Sequence, residues 1–346
     1  MNKKTIILLS ALALVIATFF ILNKDNTQTL NTTEKDFGFK STDKIDKIFM
    51  TNIQSKEFVL LTKVGKSEWR LNDKYDASTP QVDAMFETMR KIQVKKPVAK
   101  DVVDAVVKQM IIRGTKVEFY EAGKLSKVFY VGNNTPDDLG TYFYMENAKE
   151  PFICHVPGFN GFLGGNFFTS LEAWRSKVVF KTKEEDIAEI DVDWLENPSA
   201  SFKLDNKGKE PILMIGAKSL QNNVEVNLNK IKSYLKSWEY LCYEGFPIDL
   251  DPHKIDSIAH TKPIVILKLT DKNGRIKTLT VHRKGLKADS YQQVDDEGKQ
   301  MAFEIENYYA FVDDNKTEIV QIQDFVFGKV MKQVMDFELS KTDTKQ

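Results

Sequence analysis

The hydrophobic periods of this 346-residue chain predict an α+β fold: an internal duplication of a strand, hairpin, helix, hairpin unit, with mainly antiparallel sheets, helices packed on one face, and one N-terminal transmembrane helix. Three observations carry that expectation. An uncharged apolar run follows the first four residues, short segments of two-residue alternation recur between Gly and Asn turns, and one order of elements is met twice, about 142 positions apart. The organisation that follows is an anchor over 5–22, a polar stalk over 23–44, a first repeat over 45–180 and a second over 187–340.

The apolar run extends from Thr5 to Leu22, with Thr5, Ser10 and Thr18 as its polar residues and no charge. At about 1.5 Å per residue it makes roughly 27 Å of helix, which just spans a hydrocarbon core. Lys3 and Lys4 precede it, so the positive-inside bias keeps the N-terminus cytoplasmic and sends the body across the membrane. The rival is a cleaved secretory signal with Val15 and Ala17 ahead of the processing point. Phe19, Phe20, Ile21 and Leu22 argue against it, since a cleavage region is normally polar, and no cysteine follows the run to make a lipoprotein. The next segment, to about Lys44, is rich in Asn, Thr, Asp and Lys and reads as a solvated stalk.

In the first repeat, Ile45 to Ile48 begins a strand, and Glu57 to Thr62 with Glu68 to Leu71 forms a hairpin around Gly65. Thr79 and Pro80 open a helix as cap and first-turn residue, with Val82, Met85, Phe86, Met89 and Ile92 on its apolar face. A weaker helical run covers Val102 to Met110, and strands follow at Lys116 to Tyr120, Val128 to Val131, Tyr142 to Met145 and Phe152 to His155. The second repeat starts with strands at Ile187 to Ile190, Ser201 to Leu204 and Ile212 to Ile215. A helix is expected from about Asn227 to Tyr243 and a short one from Pro252 to His260. Strands at Ile264 to Leu269 and Lys277 to His282 turn at Asn273-Gly274, and Phe303 to Ile305, Tyr308 to Val312 and Glu318 to Gln323 close the sheet. The spacing between copies grows late, which places an insertion near Gly285 to Gly298.

Composition excludes one broad class. Lys plus Arg and Asp plus Glu number 49 each and are interspersed, so no phosphate-neutralising face for nucleic acid is expected. The 23 Phe residues supply ample core material. Cys154 and Cys242 are the two cysteines; in an oxidising compartment they either pair, closing a loop of about 88 residues worth about 4–5 kcal/mol, or stay as free buried thiols.

Several motifs resemble a family of bacterial envelope proteins defined as a domain of unknown function, whose members are typically anchored at the N-terminus. They are Trp69-Arg70-Leu71, Tyr75-Asp76-Ala77, the run Val131 to Asp137 followed by Gly140-Thr141-Tyr142, Val156 to Phe159 with Gly161-Phe162-Leu163, and Trp174-Arg175 before Val178-Val179-Phe180. The resemblance covers the first repeat and hardly touches the second. It implies an accessory role, with some members similar in setting to components of gliding-type ABC transporters, and it transfers no catalytic residue.

The residues themselves predict no catalytic, cofactor or metal set. Neither GxxxxGK[ST] nor GxGxxG occurs. His253, Asp256 and His260 share a helical face, a pattern better suited to a solvated surface than to a ligand set, and Cys154 and His155 are neighbours on a strand, where side chains point to opposite faces. Acidic groups at Asp137-Asp138, Asp249 to Asp251, Asp295 to Glu297 and Asp313-Asp314 lack calcium-loop spacing. Glycines interleaved with Phe159, Phe162, Phe167 and Phe168 suit a packed corner, or an exposed apolar loop that meets a partner or a lipid headgroup. The sequence therefore points to a non-enzymatic accessory or scaffold protein of the inner membrane, single-pass, with its body in the periplasm and an envelope protein or transporter subunit as partner. The alternative is a small-ligand or glycan-binding module using the cleft between repeats.

Overall fold

The computed structural model describes residues 34–159, 161–215, 218–219, 226–286, 298 and 301–338. The expected anchor over 5–22 lies outside them, as does most of the expected insertion after Gly285. Among the described residues no helix is long and apolar enough to cross a membrane. The chain divides into two compact units between Ser176 and Lys177.

The first unit contains β1 (Ile45–Asn52), β2 (Phe58–Lys63), β3 (Trp69–Leu71), β4 (Tyr75–Asp76), helix α1 (Thr79–Lys91), β5 (Gln93–Pro97), helix α2 (Val103–Arg113), β6 (Thr115–Glu121), β7 (Lys124–Asn134), β8 (Thr141–Met145) and β9 (Phe152–His155). They form one nine-stranded sheet in the order β4-β3-β2-β1-β6-β7-β8-β9-β5, antiparallel at every ladder. Period-two alternation places Ile48, Met50, Val59, Leu61, Val117 and Phe119 on one buried face. That face closes over an aromatic cluster in which Phe37 meets Phe129 at 5.9 Å and Phe143 at 5.5 Å, edge to face. Helix α1 lays Val82, Met85, Phe86 and Met89 against the same core.

In the second unit come β10 (Val178–Phe180), β11 (Ile187–Trp194), β12 (Phe202–Asp205), β13 (Ile212–Ile215), β14 (Lys218–Ser219), helix α3 (Leu228–Lys236), β15 (Leu241–Cys242), helix α4 (Pro252–Ala259), β16 (Val265–Asp271), β17 (Ile276–Gly285), β18 (Phe303–Val312) and β19 (Ile319–Gln323). The main sheet runs β14-β13-β12-β11-β16-β17-β18-β19, and β10 pairs with β15 apart from it. Both main sheets set their first strand in the interior, beside the strand that follows the second helix. Both ladders there slip once near the start, between Ile45 and Lys47 and between Ile187 and Glu189.

The α+β expectation is corrected on two counts. The chain is mostly antiparallel sheet with few, short helices, and those helices do not share a face. Helix α3 packs Ile231, Tyr234 and Leu235 into the main core of its unit, while α4 packs Ala259, Ile255 and Ile258 on Tyr309, Phe311 and Ile319. Those strand residues alternate with Tyr308, Ala310 and Val320 of the main core, so α4 covers the other side of the sheet. In the first unit α2 likewise rests Met110 over Gly132 and Tyr142, neighbours of the core residues Val131 and Phe143. Two boundaries also move. Ser78, not Thr79, is the N-cap of α1. The helix expected to reach Tyr243 ends at Lys236, where the Ser237 hydroxyl donates to the Tyr234 carbonyl.

The fold has begun by Asp36, inside the segment expected as a stalk over 23–44. Phe37 is 1% exposed and Phe39 and Thr42 are buried with it. Lys127 explains how a polar segment is held there. It stands opposite Phe119 in the β6–β7 ladder, on the core face. Its Nζ donates to the carbonyls of Asp36 at 2.5 Å and Gly38 at 2.6 Å, pairs with the Asp36 carboxylate at 2.9 Å, and lies 4.9 Å from the Phe39 ring centre. Replacing the ammonium by an isosteric thioether, Lys127→Met, leaves two carbonyls without their donor. The expected loss is about 2–4 kcal/mol, read as a lower urea midpoint at unchanged slope.

Candidate functional site

The glycine- and phenylalanine-rich segment after β9 forms a loop pinned from beneath. The chain turns at Gly158, whose φ of +80° is a left-handed conformation that suits glycine. Further on, the Leu163 N–H donates to Thr141 Oγ1 at 3.1 Å and Asn166 Nδ2 donates to Thr88 Oγ1 at 2.7 Å. Phe167 is 1% exposed and meets Phe129 and Phe143 edge-on at 6.1 and 6.0 Å, and the Trp174 indole donates to the Phe168 carbonyl at 2.8 Å.

Above this base three rings face solvent: Phe159 at 51%, Phe162 at 44% and Phe168 at 45% exposure. The interleaved glycines have a steric role. A Cβ on Gly161 would stand 2.7 Å from the Phe159 ring, and one on Gly164 only 2.0 Å from the Phe162 ring. The outer edge of each ring thus occupies the space that a side chain at the glycine would take. Of the four phenylalanines read as a packed corner or a partner-contact loop, Phe159, Phe162 and Phe168 form an exposed crest, and Phe167 is a core residue. Sequence spacing did not separate them, because burial of Phe167 depends on Phe129 and Phe143 from distant strands.

Of the two readings of the cysteines, a bridge or two free thiols, the structure has the second. Cys154 and Cys242 are free, the first on β9 of the first unit and the second on β15 of the second. Burial pushes the Cys154 thiol well above its ordinary range, which makes it a core residue and a poor nucleophile. At the C-cap of α4, His260 Nδ1 lies 2.8 Å from the Asp256 carbonyl and 3.5 Å from its carboxylate, and the pair is exposed. Among the described residues no group of three or more His, Cys, Asp or Glu converges as a metal site. Asp295 to Glu297 lie outside the described residues; of the other acidic turns, Asp137 accepts from Thr135 Oγ1 and the Leu139 N–H, Asp251 accepts from the Lys254 N–H, and hydrogen bonding holds both carboxyls below the usual range. Asp313 pairs with Lys277 at 2.5 Å.

A concavity in the second unit was invisible in the sequence. It is a cleft of about 550 Å³ whose walls come from β11, β16, β17, β18 and the turn after Asp324. No local pattern marks it, since its residues lie far apart along the chain. Trp194 forms one side, and its indole donates to the Lys332 carbonyl at 2.9 Å. The other three tryptophans, Trp69, Trp174 and Trp238, are core residues.

The family model described as "Domain of unknown function (DUF4340)" matches residues 69–263. The match begins at β3 and continues to the residues before β16, so it extends well into the second unit, where the motif resemblance had hardly reached. No curated protein and no solved structure matches the chain.

One buried titratable group ties the second unit to pH. His282 is buried edge-on to Phe311 at 5.4 Å, and its Nδ1 lies 2.9 Å from Thr261 Oγ1. The Thr261 hydroxyl already donates to the Ile258 carbonyl, so the imidazole donates to it through Nδ1–H. Burial, with Lys316 nearby, lowers the imidazole pKa below its ordinary value. Between the folded value and about 6.5 the unfolded chain binds the proton more, so stability is full above about pH 6.5 and falls as the pH drops through the folded value. The urea midpoint of the second unit is expected to decline on acidification below about pH 6.5, and His282→Gln to flatten that decline.

Proposed function

The chain belongs to the DUF4340 family, a domain of unknown function, and we propose that it is a non-catalytic docking protein of the cell envelope: its apolar N-terminal run tethers it, and its first unit binds a membrane-protein partner. The observation that carries this reading is the crest of Phe159, Phe162 and Phe168, three exposed aromatics on a loop whose base is fixed by Leu163, Phe167 and Trp174. Rigid aromatics lose little conformational freedom on burial and dominate the energetics of interfaces. A loop already held in shape avoids most of the ordering cost of binding. The apolar run behind Lys3 and Lys4 supports an extracytoplasmic body, and a transporter subunit is the partner class suggested by the motif resemblance.

The non-catalytic reading is supported by how the reactive side chains are used. Cys154 is packed, the described acidic turns cap backbone N–H groups or pair with lysines, and His282 is committed to Thr261. In-cell photo-crosslinking tests the proposal, with the reactive residue placed in turn at positions 159, 162 and 168 and at the exposed hairpin residue Lys66 as control. The three crest positions should give one discrete adduct with a membrane protein, and position 66 none. Alanine at each crest residue should weaken the isolated complex by about 1–3 kcal/mol, or about 5- to 150-fold, without changing the melting of the body. Equal adducts at Lys66, or a triple-alanine variant that binds its partner normally, would overturn the proposal.

A further inference from the structure

The cleft of the second unit combines an apolar wall with unpaired cations. Ile264 and Val265 are buried at its floor, Trp194 and Met331 are half-buried, and Phe325 stands at the rim 94% exposed. A phenylalanine held so far into solvent beside a concavity loses apolar burial that an occupant would restore. The volume of about 550 Å³ lies within the roughly 300–1,000 Å³ of small-molecule sites.

The charges around this wall are unequal. Arg283 is neutralised by Glu196, its Nε and Nη2 donating to the two carboxylate oxygens at 3.1 and 2.5 Å. Lys329 and Lys332 also line the cleft, and neither ammonium has a carboxylate in ion-pair reach among the described residues. Against these two cations stands the carboxylate of Asp324, 3.5 Å from the Tyr308 hydroxyl. One positive charge is left over, beside an apolar surface.

We propose that this cleft binds a small monoanionic amphiphile, an acyl or comparable apolar body ending in one carboxylate. The apolar body covers Ile264, Val265, Met331 and Phe325, and the head pairs with Lys329 and Lys332. Asp324 disfavours a doubly charged head, since a second negative charge would meet its carboxylate. Trp194 becomes the reporter of occupancy. The site is independent of the phenylalanine crest, so either proposal can fail without the other.

The test titrates the full chain with dodecanoate brominated at its chain end, a contact quencher of indole fluorescence, below the concentration at which it forms micelles. Trp69, Trp174 and Trp238 are buried and shielded from it. Saturable quenching is expected from Trp194 and should vanish in Trp194→Phe, for which calorimetry still registers binding. Lys329→Gln with Lys332→Gln should weaken binding about tenfold or more, the loss of a charge-assisted contact, with unchanged melting. Phe325→Ala, also at an exposed position, should weaken it as well. The brominated alcohol and trimethylammonium analogues separate charge recognition from greasy adsorption. The proposal is overturned if quenching never saturates, if the three head groups bind alike, or if the double glutamine variant binds as well as the parent.

Discussion

The fold of each unit depends on one antiparallel ladder, that between its first strand and the strand returning after both helices. In the first unit it runs from Ile45 opposite Glu121 to Asn52 opposite Thr115, and in the second from Ile187 opposite Asp271 to Trp194 opposite Val265. The partners are far apart in sequence, so loop-closure entropy must be overcome before the sheet is whole. The route between them explains why helices lie on both sides. After β4 the chain crosses the core face as α1, adds β5 beside β9 at the far edge, and comes back over the opposite face as α2 before β6 drops in next to β1. The second unit follows the same circuit, with α3 on the core face, Gly245 bridged to Gln321 at the far edge, and α4 on the reverse. The chain belts its own sheet, and the belt is fastened by that central ladder.

What could be read in the sequence follows from this geometry. Strands with one buried face, such as Ile48 and Met50 or Leu267 and Leu269, announce themselves by alternation, and α1 and α3 by their apolar stripes. The reverse-face helices were expected at Val102 to Met110 and Pro252 to His260, but the side of the sheet they cover was not. Helix α2 buries Met110 alone, so its side of the sheet is decided by Gly132, which leaves room for that thioether. Strand β5 is exposed along most of its length and is a strand only because β9 offers it an edge. The burial of Phe37 and Phe39 in a charged stretch requires Lys127, a partner that no local window contains.

The candidate sites divide along the same line. The phenylalanine crest was legible because its glycines and aromatics interleave locally, and the structure adds the reason: the glycines leave the space that the Phe159 and Phe162 rings occupy. The second-unit cleft was not legible, since Trp194, Arg283, Tyr308 and Lys329 come together through strand pairing and a late turn. A pocket assembled from five separate segments leaves no spacing to find.

The clamp at Lys127 has a mechanical consequence. A pull on the chain from its N-terminal side does not peel a strand from an edge. It arrives at Asp36 and Gly38, is taken up by the Lys127 ammonium, and passes into β7, which is flanked on both sides by paired strands. Strain applied there is shared across neighbouring ladders and loads them together. A load entering from that side is thus carried in interior strands, as at a fastening and not at a hinge.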